Sequence, residues 1–278
     1  LSDIQNREKY MTQASPHKRV AIITGGGSGI GRAIVEEFAR NGIDLVIAGR
    51  RADALEETCR LLSDTPSRIV PVVADITNAE DRERLVNLCV EQFGTVDVLV
   101  NNAGATATAA LADYSVKDWR TVFETNVEAN FFLSQAVAPI MRDHGGGRIV
   151  NIGSVYGSLG LNNTYYGARL PWVTEGNHGP VREVAYSASK GALLQLTREL
   201  ATALGQWNIT VNTVTPGMIP VAAIPMAEDI RERLSAMTPL GRVGLSSEIA
   251  PAVLFLAGPG ASFITGAELK IDGGWSIW

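Results

Sequence analysis

Short runs of β-branched and aliphatic residues alternate with longer helix-patterned stretches along most of this chain, and few architectures accommodate that alternation. Arg19–Thr24, Asp44–Ala48, Ile69–Ala74, Val96–Asn101, Arg148–Gly153 and Asn208–Val214 read as buried strands. Between them Ile30–Asn41, Ala52–Ser63, Ala79–Phe93, Val116–Arg142 and Ala185–Gly205 read as helices. In the first of these, Ile30, Ala33, Ile34 and Phe38 recur at helical spacing, interrupted only by the polar Glu37. Ser247–Ala257 adds a helix and Ala267–Ile271 a last strand. Successive strand–helix–strand units cross over right-handed and build a parallel sheet covered on both faces. The expected fold is α/β: one doubly wound domain, with a mainly parallel sheet of about seven strands. The 46% hydrophobic content supplies a core for a single domain of 278 residues.

The turn after the first strand reads Thr24-Gly-Gly-Gly-Ser-Gly-Ile-Gly31. Glycines let a backbone approach a pyrophosphate without Cβ clash, and the helix that follows offers unpaired N–H groups and the positive end of its dipole. In this strand–loop–helix context the loop points to nucleotide binding, with Gly25, Gly29 and Gly31 as the glycines that matter and Gly27, Ser28 and Ile30 between them.

Three further motifs follow in order: Asn101-Asn102-Ala103-Gly104 after the fourth strand, Tyr186-Ser-Ala-Ser-Lys190 at a helix start, and Pro216-Gly217 after the sixth strand. Together with the glycine loop they make the chain resemble the short-chain dehydrogenase/reductase family from about Lys18 to Gly274. The resemblance implies a Rossmann fold, a nicotinamide cofactor and interconversion of a secondary alcohol and a ketone by hydride transfer. It divides the chain into an N-terminal extension (1–17) and a dinucleotide-binding catalytic domain (18–278).

The second strand runs into Gly49-Arg50-Arg51, with no acid at its end; Asp53 lies inside the next helix. An Asp or Glu about twenty residues past the glycine loop takes the ribose hydroxyls of NAD, whereas an Arg there accommodates a 2′-phosphate. Arg50 and Arg51 therefore favour NADP(H), with NAD(H) as the alternative. The resemblance assigns Asp75 and Ile76 to the adenine, and Asn102, Ala103, Gly104, Pro216, Gly217 and Ile219 to the cofactor's surroundings.

Tyr186 and Lys190, four residues apart, share one helix face. A free phenol has a pKa near 10 and is a poor base at neutral pH. An adjacent ammonium, and the charge of an oxidised nicotinamide, are expected to lower it into the range where general acid–base transfer works. The resemblance adds Ser154 as a hydrogen-bond partner of the substrate oxygen and Asn126 as holder of a water leading protons to Lys190. The same lysine and tyrosine flank the cofactor.

The pattern departs from the family in two places. Between Ser154 and Tyr186 the chain is more than twice the usual length. This segment, 155–185, has no clear period and reads as an insertion on the substrate side, with Tyr165, Tyr166, Arg169, Trp172, Glu175, Asn177 and His178 as its wall. After Pro216-Gly217-Met218-Ile219 the family's threonine is replaced by Val221, so that contact is not carried over. Residues 217–240 are then a mobile substrate loop, restricted by Pro220 and Pro225.

The net charge of −5 leaves no basic field for nucleic acid. Cys59 and Cys89 both fall in helical stretches, so no disulfide framework is expected, and His17, His144 and His178 are too dispersed for a metal site. Residues 1–18 lack the apolar core of a secretory signal, and no stretch is apolar enough for a membrane helix. The expectation is a cytoplasmic enzyme of a small polar, sugar- or polyol-like substrate. The family implies a homodimer or homotetramer, and the aromatics Trp275 and Trp278 are candidates to reach a neighbouring subunit. A 3-oxoacyl thioester reductase is the alternative within the enzyme class. A non-catalytic nucleotide-sensing regulator, which would lack part of the catalytic set, is the alternative outside it.

Overall fold

The computed structural model describes residues 18–220 and 226–277. The expectations for the 1–17 extension, Val221, Pro225 and Trp278 lie outside the described residues. Seven strands form one sheet: β1 (Val20–Thr24), β2 (Asp44–Gly49), β3 (Ile69–Val73), β4 (Val98–Asn101), β6 (Gly147–Ile152), β8 (Ile209–Pro216) and β9 (Glu268–Ile271). Their spatial order is β3-β2-β1-β4-β6-β8-β9, and every neighbouring pair is parallel. The seven expected strands are these seven, displaced by a residue or two at their ends.

Because side chains alternate across a strand, the sheet feeds two separate cores. On one face Ala21, Ile23, Leu45, Ile47, Val98, Val100 and Val150 pack with helices α1 (Gly29–Arg40) and α8 (Ser246–Ala257), through residues such as Phe38, Ile249 and Val253. On the other, Val20, Ile22, Val46, Leu99, Ile149 and Val211 pack with α3 (Ala79–Phe93), α5 (Ala129–Asp143) and α6 (Val184–Leu204), through Leu85, Leu133, Val137 and Leu200. Helix α2 (Ala52–Leu61) buries Leu55 at the first face. Burial on both faces explains why these strands read as continuous apolar runs. Strand order reverses beside β1 and β4, and ligands of open α/β sheets bind in the crevice at the carboxyl ends of such strands.

Four local features depart from the sequence reading. The expected helix over 116–142 is two helices, α4 (Val116–Phe123) and α5, joined by a π turn over Glu124–Glu128 in which Ala129 N–H reaches the Glu124 carbonyl. Such a turn inserts one residue into the helical ladder, and in this helix Asn126 is wholly buried there. Within the expected substrate loop, Glu228–Met237 forms helix α7, burying Ile230 and Leu234. Its flanking prolines stop a helix only nearby, and the Ile230, Leu234, Met237 spacing governs.

The segment without period, 155–185, is built of short 3₁₀ turns at Val155–Gly157, Asn163–Tyr165, Gly167–Arg169 and Glu175–Asn177. It ends in β7 (Val181–Arg182), which pairs antiparallel with β5 (Ala109–Ala110). Asn163, 1% exposed, organises it: Nδ2 donates to the carbonyls of Leu170 and Val181, each at 2.8 Å, while Oδ1 accepts from Arg182 at 2.6 Å. A third apolar cluster of Tyr156, Leu161, Tyr166, Leu170, Ile230, Leu234 and Trp275 fills the space between this segment, α7 and the C-terminus. Trp275 packs edge-on against Tyr165 at 5.5 Å, inside its own chain rather than toward a neighbour. No helix among the described residues is long and apolar enough to cross a membrane.

Candidate active site

The loops following β1, β4 and β6 meet at one end of the sheet. Thr24 Oγ1 accepts the backbone N–H groups of Asn102 and Ala103, each at 3.0 Å, and Asn102 Nδ2 donates to the Thr24 carbonyl at 2.8 Å. The two sequence motifs are thus one hydrogen-bonded unit. A Cβ on Gly31 would stand 2.1 Å from the Gly25 carbonyl oxygen, and one on Gly25 would stand 2.7 Å from Asn102 Nδ2, so neither position admits a side chain. Gly29, at φ +54°, has nothing within 4 Å of its missing Cβ, which leaves the loop open on that side.

Helix α1 starts at Gly29, so the N–H groups of its first turn have no intrahelical acceptor. Ser28 makes no capping bond; its Oγ instead accepts from Arg51 Nη2 at 3.2 Å. Arg50 and Arg51 are both exposed at the end of β2, beside this loop. Past β3, Asp75 Oδ1 accepts from the Thr77 N–H at 3.0 Å and from its hydroxyl at 2.8 Å, and Ile76 is buried next to it. Gly217 N–H donates to the Ile271 carbonyl at 3.0 Å, fixing the turn after Pro216, and Ile219 packs on the α1-side core. A glycine cradle, a bare helix N-terminus and two exposed arginines fit the phosphates of a dinucleotide.

Helix α6 carries Tyr186 and Lys190 and is tied to the sheet by a row of buried polar groups. Asn101 Nδ2 donates to Asn151 Oδ1 at 2.9 Å, Asn151 Nδ2 donates to Thr197 Oγ1 at 2.9 Å, and Thr197 and Thr213 share a hydroxyl bond of 2.8 Å. The turn after β6 presses against the same helix, since a Cβ on Gly157 would meet the Lys190 carbonyl oxygen at 2.9 Å.

Lys190 is 4% exposed, and its Nζ donates to the Ile152 carbonyl at 2.7 Å and lies 5.7 Å from the centroid of the Tyr186 ring. With the ammonium out of water, burial lowers its pKa from 10.5 to about 8. Ser154, also buried, hydrogen-bonds the Tyr186 phenol.

The phenol itself departs from expectation. Burial raises the Tyr186 pKa, the Ser154 hydroxyl opposes that rise, and the Glu183 carboxylate adds to it. Desolvation penalises the phenolate, and Lys190 directs its Nζ to the Ile152 carbonyl. Tyr186 therefore holds its proton at neutral pH.

Asn126 sits on the π turn with its amide in protein contacts. Oδ1 accepts from the Ala105 N–H at 2.8 Å, while Nδ2 donates to the Ala105 carbonyl and to Ser189 Oγ, both at 2.9 Å. It clamps the loop after Gly104 to the residue beside Lys190.

The expected aromatic wall divides. Tyr166 turns inward, 7% exposed, its hydroxyl bonded to that of Tyr156 and to Met218 Sδ, and burial pushes it up to about 12. Tyr165 faces Trp275, whereas Arg169, Trp172, Glu175, Asn177 and His178 are exposed, His178 meeting Asp113 at 2.9 Å. Residues missed at the sequence level are Asn163, Glu183, and Asn151, Thr197 and Thr213, which bond in a row with Asn101 of the second motif. Their signal is a polar residue placed within an apolar or aromatic run, which is ambiguous until its partners are known.

Known proteins share this arrangement. The family model for short chain dehydrogenase matches residues 19–168, and one described as enoyl-(acyl carrier protein) reductase matches 173–276. A galactitol 2-dehydrogenase (L-tagatose-forming) of Cereibacter sphaeroides is 36% identical over 93% of this chain and 95% of its own. A 3-oxoacyl-[acyl-carrier-protein] reductase of Thermotoga maritima is 34% identical over 93% and 98%. A 7α-hydroxysteroid dehydrogenase, solved with NADH and 7-oxo glycochenodeoxycholic acid, superimposes with a TM-score of 0.82 at 33% identity, over 92% of this chain and 93% of that one. Likeness at this level over nearly the whole length, on a parallel seven-stranded sheet, means that the chain belongs to the short-chain dehydrogenase/reductase family and is an NAD(P)-dependent oxidoreductase of alcohol and ketone groups.

Proposed function

We propose that the domain beginning at residue 18 reduces a ketone on a small polar, sugar- or polyol-like molecule and oxidises the matching secondary alcohol, with Tyr186 as proton donor and acceptor. The observation that carries this reading is the Ser154–Tyr186–Lys190 cluster at the mouth of the glycine cradle. A bound nicotinamide supplies the hydride for reduction and accepts it in oxidation. In reduction Tyr186, protonated at neutral pH, gives its proton to the carbonyl oxygen, which the Ser154 hydroxyl holds in place. Lys190, with a pKa of about 8, is poised to exchange a proton near neutrality and positions the phenol through the shared face of α6. Asn126 keeps that face in register through Ser189.

Gly25, Gly27, Ser28, Gly29, Ile30 and Gly31 hold the pyrophosphate, with Asp75 and Ile76 at the adenine and Asn102–Gly104 and Pro216–Ile219 along the nicotinamide side. Arg50 and Arg51 favour NADPH, because both are exposed, Arg51 bonds Ser28, and no acid stands at the end of β2. Residues 155–185 form the substrate side of the site, and within the 217–240 substrate loop helix α7 packs against them through Ile230 and Leu234. A homodimer or homotetramer acting in the cytoplasm is the accompanying expectation. A 3-oxoacyl thioester reductase remains the second reading, favoured by the likeness to an acyl-carrier-protein reductase.

The test is a panel of ketoses, polyols and acetoacetyl thioesters, each assayed with NADPH and NADH. Polyol or ketose turnover with NADPH supports the reading. Robust thioester turnover alone would move the chain to the second one.

A further inference from the structure

The insertion between Ser154 and Tyr186 reaches the cofactor side of the fold through two buried phenols. Tyr156 and Tyr166 have ring centroids 6.4 Å apart and hydroxyls bonded to each other. Tyr166 Oη also donates to Met218 Sδ at 3.5 Å. A thioether accepts but cannot donate, and each phenol carries one proton. The Tyr166 proton therefore goes to the sulfur and the Tyr156 proton to the Tyr166 oxygen, which gives the row a single direction. All three side chains are buried, in the cluster against which Tyr186 packs.

Each end of the row is fixed to a part of the site. At one end the Tyr156 N–H donates to Ser154 Oγ at 3.2 Å, which leaves the serine proton for the Tyr186 phenol or a substrate oxygen. At the other end the backbone around Met218 is clasped from two sides. Gly244 N–H donates to the Met218 carbonyl at 2.9 Å, and a Cβ on Gly217 would stand 2.6 Å from Asp272 Cα. Phenylalanine at positions 156 and 166 would fill the same space with no hydroxyl to satisfy. The two hydroxyls thus add direction rather than packing, and tie the turn after β6 to the turn after β8.

We infer that Tyr156 and Tyr166 are positioning residues that, through Met218, hold the Ser154 hydroxyl in register with the loop along the nicotinamide, so that the insertion takes part in setting the reacting geometry. This rests on the reading that places Ser154 at the substrate oxygen and Pro216–Ile219 beside the nicotinamide.

Wild type, Tyr156→Phe, Tyr166→Phe and the double variant are compared in two assays, with urea titrations alongside. The first titrates NADPH, NADH and ADP-ribose, which lacks the nicotinamide, into each protein by calorimetry. Tyr166→Phe is expected to weaken whichever of NADPH and NADH wild type binds more tightly by about 3-fold or more, while ADP-ribose stays within about 2-fold. The second measures kcat on the best ketose or acetoacetyl thioester of the panel, at saturating nucleotide, where lost register should cost about 10-fold or more. Because the two hydroxyls share one bond, the double variant should lose about as much as Tyr166→Phe, not the product of the two single losses. Lower urea stability with kcat and the nucleotide pattern unchanged, an equal weakening of ADP-ribose, or multiplied losses in the double variant would each overturn the inference. If wild type turns over no ketone of the panel, the proposed reaction falls, and the nucleotide titrations alone decide the positioning role.

Discussion

Replacing Lys190 with methionine removes a cation from the interior while keeping most of its volume. The lysine has no carboxylate partner among the described residues, and its protein hydrogen bond there goes to the Ile152 carbonyl. A pKa lowered from 10.5 to about 8 means that the folded state binds the proton less well than the unfolded chain. Stability therefore rises with pH across the window between these two values, because the unfolded state holds more protons there. At pH 7 the penalty is about 3 kcal/mol, and at pH 9.5 about 1 kcal/mol. Methionine escapes the penalty but leaves the Ile152 carbonyl without this donor, at a cost of about 1–3 kcal/mol. Lys190→Met is thus expected to be neutral to about 2 kcal/mol more stable than wild type at pH 7, and to lose about 2 kcal/mol of that difference by pH 9.5. Urea titrations of both proteins at fixed concentration, at pH 7, 8.5 and 9.5, measure it, and turnover should be lost throughout. A stability difference that does not change with pH, or a variant destabilised by more than about 3 kcal/mol at pH 7, would refute the argument.

Asn163→Ala removes the bonds that gather Leu170, Val181 and Arg182. It should loosen 160–182 locally by about 2–3 kcal/mol, seen as faster amide exchange there with little change in the sheet. Gly31→Ala places a methyl 2.1 Å from the Gly25 carbonyl oxygen, so nucleotide affinity, read by fluorescence titration, should fall at least about 10-fold. Arg50→Asp should lower the NADPH-to-NADH ratio of kcat/KM by about 10-fold or more, and an unchanged ratio would remove Arg50 from cofactor choice.

What could be read from the sequence follows from how far each signal reaches. The strands were legible because both faces of the sheet are buried, which makes Val20–Thr24 and its neighbours continuous apolar runs. The glycine loop and the Tyr186–Lys190 pair were legible because close backbone approach and one helical turn are local constraints. The break in the 116–142 helix was hidden, since it depends on Asn126 finding Ala105 and Ser189 across the fold. Segment 155–185 was hidden for the same reason. Its order comes from one asparagine bonding chain segments on either side of it, and from a two-residue strand whose partner lies some seventy residues earlier. The burial of Tyr186 was not legible, because spacing places the ammonium nearby but says nothing of the desolvation that both groups share.

The central claim is that Tyr186 moves the proton while the remainder of the site holds cofactor and substrate. Its most direct test is Tyr186→Phe, with kcat/KM measured on the best substrate of the panel and nucleotide affinity measured alongside. The account predicts a loss of about 10²- to 10⁴-fold in turnover with nucleotide affinity kept within a few-fold. Activity close to wild type in that variant would contradict it.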